Sequence, residues 1–408
     1  MRILHTSDWH LGRSLMLLKR HDELAAFLEW LIKTLEERKI DTLIVAGDIF
    51  DNTTPPTAAQ ELYYQFLGRA ARTCCNNIVI VAGNHDSPSL LDAPAQILRA
   101  INVYVVGTPG KAPENETIIL KNRSGEPQGI VCAVPYLRDR DIRRVLPGES
   151  VEDKASALIK GMQQHYAAVC EAAERLRQQL GDLPLIATGH LFTAGGIAVE
   201  GDGVRELYVG TIAHFNADLF PPTIDYMALG HLHAPQKAGS REHIRYSGSP
   251  IPMNFCEAKQ QKKVIQVEFA GRRPQIEGIT VPCFQPLEKI SGSFDELTGR
   301  LAQLVGADSN AWLEIEYTGE MIVANLDEEI SRAIAGSKLK VTRTINRNSN
   351  ALRLTGDNTP QSLEGMSEKD VFEYCLKARN VPEEQHSELK QAYQEIISSI
   401  VENDANKE

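Results

Sequence analysis

Apolar positions in this chain follow two rhythms. From His21 to Arg38, Leu24, Phe27, Leu28, Leu31, Ile32 and Leu35 recur at helical spacing and predict an amphipathic helix. Elsewhere short continuous apolar runs stop at a glycine: Ile44-Val45-Ala46-Gly47, Ile80-Val81-Ala82-Gly83, Ile186-Ala187-Thr188-Gly189 and Met227-Ala228-Leu229-Gly230. A run of that kind marks a buried strand giving way to a tight loop. With a helix over Thr57–Arg72 and a strand over Asn77–Gly83, the first half alternates strand and helix, which predicts a largely parallel sheet with helices on its faces. The pattern turns strand-rich between Val103 and Tyr136, predicts a long helix from about Glu152 to Gln179, and is mostly strand from His190 to Val281. An α/β sandwich of two sheets packed face to face, with helices outside, accommodates both halves.

A second unit is expected to begin near Pro282-Cys283-Phe284-Gln285-Pro286. It reads helix (Phe294–Val305), strand (Trp312–Tyr317), helix (Leu326–Ala335) and strand (Leu339–Ile345), a small α+β module. After Gly356-Asp357-Asn358-Thr359-Pro360 two helical segments follow, Ser367–Arg379 and Glu383–Val401. The first has a possible Ser367/Asp370 N-terminal cap, and the second an apolar stripe of Leu389, Tyr393, Ile396, Ile397 and Ile400. A helical pair this short must dock on something, either its own domain or a partner. The expected division is therefore 1–284, 285–356 and 357–408.

Composition adds bounds. The 408 residues are enough for two or three domains, with no apolar run near the roughly twenty residues of a membrane span. Met1 to His5 leads straight into a strand, so no leader is expected. Seven cysteines, scattered and without a Cys-x-x-Cys pair, point to reduced thiols in a cytoplasm. The net charge of −11 argues mildly against gripping nucleic acid by charge alone, though bound divalent ions can supply the positive field a phosphate needs. One stretch departs from the acidic average: Lys338, Lys340, Arg343, Arg347 and Arg353, with no Asp or Glu from Ser331 to Gly356. A protected strand edge and a phosphate-contacting strip are both consistent with it.

The residues after the glycines carry the chemistry. Asp48 follows Gly47, Asn84-His85-Asp86 follows Gly83, His190 follows Gly189, and His231 and His233 follow Gly230; near the start, Asp8 and His10 follow Arg2-Ile3-Leu4-His5-Thr6. Strands of one sheet that drop ligands at the same end gather them into one cleft. On extended backbone, residues two apart share a face, so Asp8 with His10, and His231 with His233, should each address one site. Carboxylate, imidazole and amide oxygen together suit Mn²⁺, Fe or Zn²⁺ better than Ca²⁺ or Mg²⁺, and the lack of thiolates argues against a structural zinc site.

Asp8-x-His10, Gly47-Asp48, Gly83-Asn84-His85-Asp86, Gly189-His190 and Gly230-His231-x-His233, in that order, resemble the calcineurin-like metallophosphoesterase signature. The surrounding Ser7-Asp8-Trp9-His10-Leu11-Gly12, Gly47-Asp48-Ile49-Phe50-Asp51, Thr188-Gly189-His190-Leu191 and Ser247-Gly248-Ser249-Pro250-Ile251-Pro252 are similar to the bacterial SbcD family. The resemblance covers roughly residues 1–285; beyond them it rests on domain order. It implies two divalent ions, most often Mn²⁺: one held by Asp8, His10, Asp48 and His233, the other by Asp48, Asn84, His190 and His231. Asp48 would bridge them, and His85 would be a catalytic group facing the scissile phosphate. Asp51 and Asp86 are either partners that orient imidazoles or ordinary turn carboxylates.

The resemblance further implies a DNA exonuclease and endonuclease for repair, recombination and replication. Its α+β module would cap the cleft and help place DNA, and its C-terminal helices would bind the coiled coil of an SbcC-like ATPase. A two-fold dimer would form within a heterotetramer through helices beside the site, for which Leu62, Phe66, Ile97 and Leu98 are apolar candidates. The same ion cluster also serves small-molecule and cyclic-nucleotide phosphodiesterases, while a non-enzymatic scaffold would be expected to have lost ligands.

Overall fold

The computed structural model describes residues 1–143, 150–194, 215–319, 321, 323 and 325–347, together with 371–373, 376, 386, 389–390 and 393. The chain divides into two compact units, Met1–Ile345 and Asn346–Glu408. The principal strands are β1 (Arg2–Thr6), β2 (Thr42–Ala46), β3 (Asn77–Val81), β4 (Val103–Val106), β5 (Thr117–Lys121), β6 (Pro127–Cys132), β7 (Leu185–His190), β8 (Tyr226–Gly230), β9 (Gln236–Lys237), β10 (Ile244–Tyr246), β11 (Lys263–Ala270), β12 (Arg273–Thr280), β13 (Leu287–Gly292), β14 (Trp312–Tyr317) and β15 (Lys340–Asn346). The principal helices are α1 (His21–Glu37), α2 (Thr57–Ala70), α3 (Val151–Leu180), α4 (Phe294–Gly306) and α5 (Leu326–Ala333).

Two six-stranded sheets carry the fold. The first runs β12-β11-β1-β2-β3-β4 and the second β9-β10-β8-β7-β6-β5. β1 to β4 are mutually parallel, as are β6, β7, β8 and β10, and the remaining strands close the edges antiparallel. Their inner faces share one apolar layer that includes Ile3, Ile44, Val79, Val131, Ile186 and Ala228. The outer face of the first sheet is covered by α1 and α2 through Leu24, Phe27, Leu31, Tyr63 and Phe66. That of the second is covered by α3 through Leu158, Met162, Tyr166 and Val169. The expected sandwich with helices outside is the observed architecture, and because both parallel sets end on the same side, their loops meet in one cleft.

Helix ends follow local chemistry. Ser150 and Asp153 form a capping box at the start of α3, and at α4 the Glu296 carboxylate accepts both the backbone N–H and the hydroxyl of Ser293 at 2.8 Å. In α4 and α5, Leu297, Leu301, Leu304, Leu326 and Ile330 face β13-β14-β15, making the α+β module a small core of its own. Its first strand, β13, escapes sequence reading. Leu287 and Ile290 are three apart and pack into two different clusters, so period-two alternation never shows.

Of the four apolar dimer candidates, Phe66 and Leu98 belong to the core, and Leu62 packs partly against it. Phe66 meets Trp9 edge-on at 5.2 Å between ring centroids, the core packing that is the ordinary reading of an apolar helix position. Ile97 remains 79% exposed. The Ser367/Asp370 cap, Arg353 and most of the two C-terminal helical segments lie outside the described residues. Within the second unit, described positions 371–373, 376, 386, 389–390 and 393 are helical, and Phe372 stacks on Tyr393 with centroids 4.0 Å apart. Among the described residues no helix is long and apolar enough to cross a membrane.

Candidate metal centre

All seven expected ligand positions stand at the carboxyl ends of parallel strands: Asp8 and His10 after β1, Asp48 after β2, Asn84 after β3, His190 closing β7, and His231 and His233 after β8. The route is not the one strand alternation suggests. Asp8 (φ 53°), His10 (φ 49°), Asp48 (φ 51°) and His231 (φ 100°) have left-handed or otherwise positive φ, so each pair two apart reaches the cleft from a bent loop rather than an extended strand. Backbone bonds hold the bend. Asp8 N donates to Gly47 O at 3.0 Å, His10 N to Asp48 O at 3.0 Å and Leu11 N to Ile49 O at 2.9 Å.

Glycine before the ligand is a matter of space as well as of turning. A Cβ on Gly83 would lie 2.1 Å from Asp48 Oδ1, and one on Gly230 would lie 1.9 Å from Ala46 O. Backbone blocks both positions, since the Gly83 Cβ would also lie 2.3 Å from the Asp48 nitrogen. Gly230→Ala is therefore expected to push the two sheets' loops apart and weaken divalent-ion binding at least about tenfold, a displacement effect of the size seen when groups around a metal site are disturbed. Titration of the variant with Mn²⁺ by calorimetry checks this, and wild-type affinity would refute it.

Ring and carboxylate atoms converge in two groups. His10 Nε2 lies 3.3 Å from His233 Nε2 and 3.6 Å from Asp48 Oδ2. His190 Nε2 lies 3.3 Å from Asp48 Oδ2 and 3.0 Å from Asn84 Oδ1, which is also 3.0 Å from His231 Nδ1. Asp8 reaches both groups: one of its oxygens clusters within 4.8 Å of ligand atoms of His10 and His233, and likewise with Asp48 and His190. Its Oδ1 also accepts the His231 backbone N–H at 3.0 Å. These ligand residues are buried, apart from the half-buried Asn84.

The electrostatics fit cations. Burial pushes the His10 ring down from its ordinary value, and burial followed by the repulsion of His190 takes His231 to about 3. At His190 burial opposes the charged ring, but the Asp48 carboxylate outweighs it and pushes the group up to about 9. Asp48 itself is buried, yet the surrounding imidazoles, His190 foremost, hold it well below the usual carboxylate range. The decisive contact is the pair of Nε2 atoms. His10 Nδ1 faces Asp51 Oδ1 at 3.3 Å and His233 Nδ1 faces Glu257 Oε1 at 3.4 Å. A carboxylate draws the ring proton to Nδ1, leaving two Nε2 lone pairs pointed at each other, an arrangement that a cation between them relieves.

Other residues orient the ligands. His190 Nδ1 donates to Ala46 O at 2.9 Å across the two sheets, which leaves Nε2 for the cluster. Asp51 does act on an imidazole, that of His10, and is steadied by Arg13 Nη1 at 2.9 Å. Asp86 does not. Its carboxylate accepts the backbone N–H groups of Ile49, Phe50 and Gly83, so it locks the Asp48 loop to the Asn84 loop; burial, then the Asp48 charge, pushes it up to about 6. His85 N donates to Asp48 Oδ1 at 2.9 Å, while its ring Nδ1 is bonded to Asp51 O at 3.0 Å. The His85 ring sits edge-on to His10, 5.0 Å between centroids, tied to backbone rather than to the cluster. Sequence reading missed Glu257 and Lys262, a buried ion pair behind His233. They come from an irregular loop with no strand-glycine junction to flag them.

Residues 1–235 match the family model described as calcineurin-like phosphoesterase, and residues 283–380 match one described as Type 5 capsule protein repressor C-terminal domain. The chain is 36% identical to the SbcD subunit of the SbcCD nuclease from Escherichia coli K12, over 98% of both chains. This chain belongs to the SbcD family. The SbcD subunit of Rhodobacter capsulatus is 37% identical over 66% of this chain and 67% of its own, and that of Bacillus subtilis 32% identical over 78% of both. SbcD membership makes the chain a hydrolase of phosphodiester bonds and a nuclease subunit, and its phosphoesterase domain implies divalent metal ions.

Proposed function

We propose that this SbcD-family chain is a DNA nuclease acting through two divalent ions, with Mn²⁺ the fitting choice for a set of imidazoles, carboxylates and one amide oxygen. The observation that carries the reading is the face-to-face approach of His10 Nε2 and His233 Nε2 at 3.3 Å, beside an Asp48 carboxylate shared with His190. In this reading Asp8, His10, Asp48 and His233 hold one ion, and Asp48, Asn84, His190 and His231 the other. Bound there, the ions would withdraw charge from the phosphate and let water act as a nucleophile at neutral pH.

The chain's own residues do the rest. Asp48 fixes the spacing of the two groups because its Oδ2 lies within 3.6 Å of His10 Nε2 and 3.3 Å of His190 Nε2. His85 donates Nδ1–H to the Asp51 carbonyl, so Nε2 is the nitrogen left for the substrate; in the imidazolium form, with both nitrogens protonated, it would give the leaving oxygen a proton from Nε2, a step worth about 10²–10⁴-fold. Asp86 keeps the two loops that carry these groups in register.

The reading extends to organisation: nuclease domain 1–284, a DNA-placing cap 285–356 and a partner-binding segment 357–408. An SbcC-like ATPase would take the C-terminal helices, and two copies would pair through the surface bearing exposed Ile97, in the cytoplasm during DNA repair, recombination and replication. The test is cleavage of blunt duplex, hairpin and single-stranded DNA with Mn²⁺, with and without the ATPase partner, alongside a bis-aryl phosphate diester. Exonucleolytic shortening of duplex and opening of hairpins are expected. Turnover of the small diester with all DNA left intact would favour the rival phosphodiesterase reading.

A further inference from the structure

Behind His10 and His233 the structure repeats one device. Each ring turns Nε2 into the cleft and Nδ1 toward a carboxylate, Asp51 at 3.3 Å and Glu257 at 3.4 Å. Neither carboxylate stands alone. Asp51 Oδ1 also accepts from Arg13 Nη1 at 2.9 Å, and Arg13 leads into the short hairpin that pairs Ser14 with Lys19 and Leu15 with Leu18. Glu257 is wholly buried, accepts from Met253 N at 3.1 Å and pairs with Lys262, whose Nζ also donates to His233 O at 3.0 Å. Glu257 ends the single 3₁₀ turn Phe255–Glu257, which Asn254 Oδ1 fixes by accepting from Cys256 N at 2.8 Å.

The two supports converge away from the cleft. Leu15 from the hairpin and Phe255 from the turn are both buried in one small apolar cluster, and the other two buried members are Leu287 on β13 and Trp312 on β14. Those strands belong to the α+β module. The cluster is therefore the place where the module touches both segments that aim the imidazoles. Arg20, at the hairpin's far end, donates to the Pro252 carbonyl and so ties hairpin and turn together a second time.

We infer that the α+β module sets the affinity of one metal position from a distance, through the Leu15–Phe255–Leu287–Trp312 knot and the positioning residues Asp51 and Glu257. The inference rests on the two-ion reading above. Seating of the knot fixes Phe255 and hence Glu257, and fixes Leu15 and hence Arg13 and Asp51. A shift of the module would turn the His10 and His233 rings together and loosen the ion they share. His190, oriented by the Ala46 carbonyl within the sandwich itself, would be left in place. The metal position beside His190 should thus be indifferent to the module.

Mn²⁺ titration of the full-length protein, by calorimetry and by the paramagnetic resonance signal of free Mn²⁺, tests this without reference to cleavage. Glu257→Gln should weaken one of two binding constants by about 10–100-fold and leave the other within about twofold. Trp312→Ala, which touches no ligand, should weaken the same constant, and should add little in the Glu257→Gln background, since coupled residues are not additive. Should Trp312→Ala fail to fold by circular dichroism, Leu287→Ala is read in the same way. Unchanged constants, or equal weakening of both, in a folded knot variant would overturn the inference. A wild-type chain that binds no Mn²⁺ would instead overturn the two-ion reading beneath it.

Discussion

Asp48→Ala should abolish cleavage, with a fall of about 10⁴-fold or more, equivalent to about 5–6 kcal/mol of barrier. The size follows from where the carboxylate sits. Oδ2 lies between His10 Nε2 and His190 Nε2, one from each atom group, while Oδ1 accepts the backbone N–H of His85. Asp8 also comes within 4.8 Å of ligand atoms in both groups, but Asp48 is the carboxylate for which one oxygen lies 3.6 Å from His10 Nε2 and 3.3 Å from His190 Nε2. Its removal takes away the main anion that holds His190 up near 9 and leaves Asp8 as the carboxylate near both groups. An anomalous-scattering map of Mn²⁺-soaked crystals should show both positions empty or scrambled. Two filled positions in that variant would end the bridging assignment. Asp8→Ala offers a graded comparison: in the two-ion assignment Asp8 holds only the ion shared with His10 and His233, so that ion should suffer most, with a smaller effect on the position beside His190, whose ligand atoms also lie within 4.8 Å of an Asp8 oxygen.

For His85→Ala the expected result is different in kind: both ions bind as in the wild type, and turnover falls by about 10²–10⁴-fold. The link from this residue to Asp48 runs through its backbone N–H, which alanine retains, so the ligand loop keeps its shape. What disappears is the imidazole that the Asp51 carbonyl holds by Nδ1. Paired measurements decide it, Mn²⁺ binding by calorimetry and single-turnover cleavage of duplex DNA. Normal cleavage would remove His85 from the mechanism; loss of an ion would make it a ligand or a support for one.

Much of this was readable in the sequence because strand ends and ligands coincide. Apolar runs such as Ile44-Val45-Ala46 are buried on both faces, so they appear as unbroken strings, and the glycine that follows each stands where a Cβ would collide with a neighbouring loop or side chain. Helical spacing gave α1 and α2 to within two residues at each end. The rest depends on contacts that no local pattern records. Glu257 meets His233 across twenty-four residues of chain, and Arg13 meets Asp51 across thirty-eight. Asp51 and Asp86 are equivalent in sequence, each three residues or fewer from a ligand, yet one aims a ring and the other ties backbone; only the turn of each loop separates them. Phe66 and Leu62 share one helix, yet Phe66 is buried where its ring meets Trp9, far away in the chain, while Leu62 is only partly buried.

The left-handed backbone at Asp8, His10 and Asp48 carries a consequence for how this protein can change. Each such residue costs about 1–2 kcal/mol relative to an ordinary conformation, against a net stability of about 5–15 kcal/mol for a typical domain. Glycine would remove that cost at all three positions, along with the burden of a buried charge at Asp48. The residues that make the chain an enzyme are thus the ones its fold would be steadier without. A lineage relieved of the need to cut would find its readiest gains in thermal stability at the floor of the cleft.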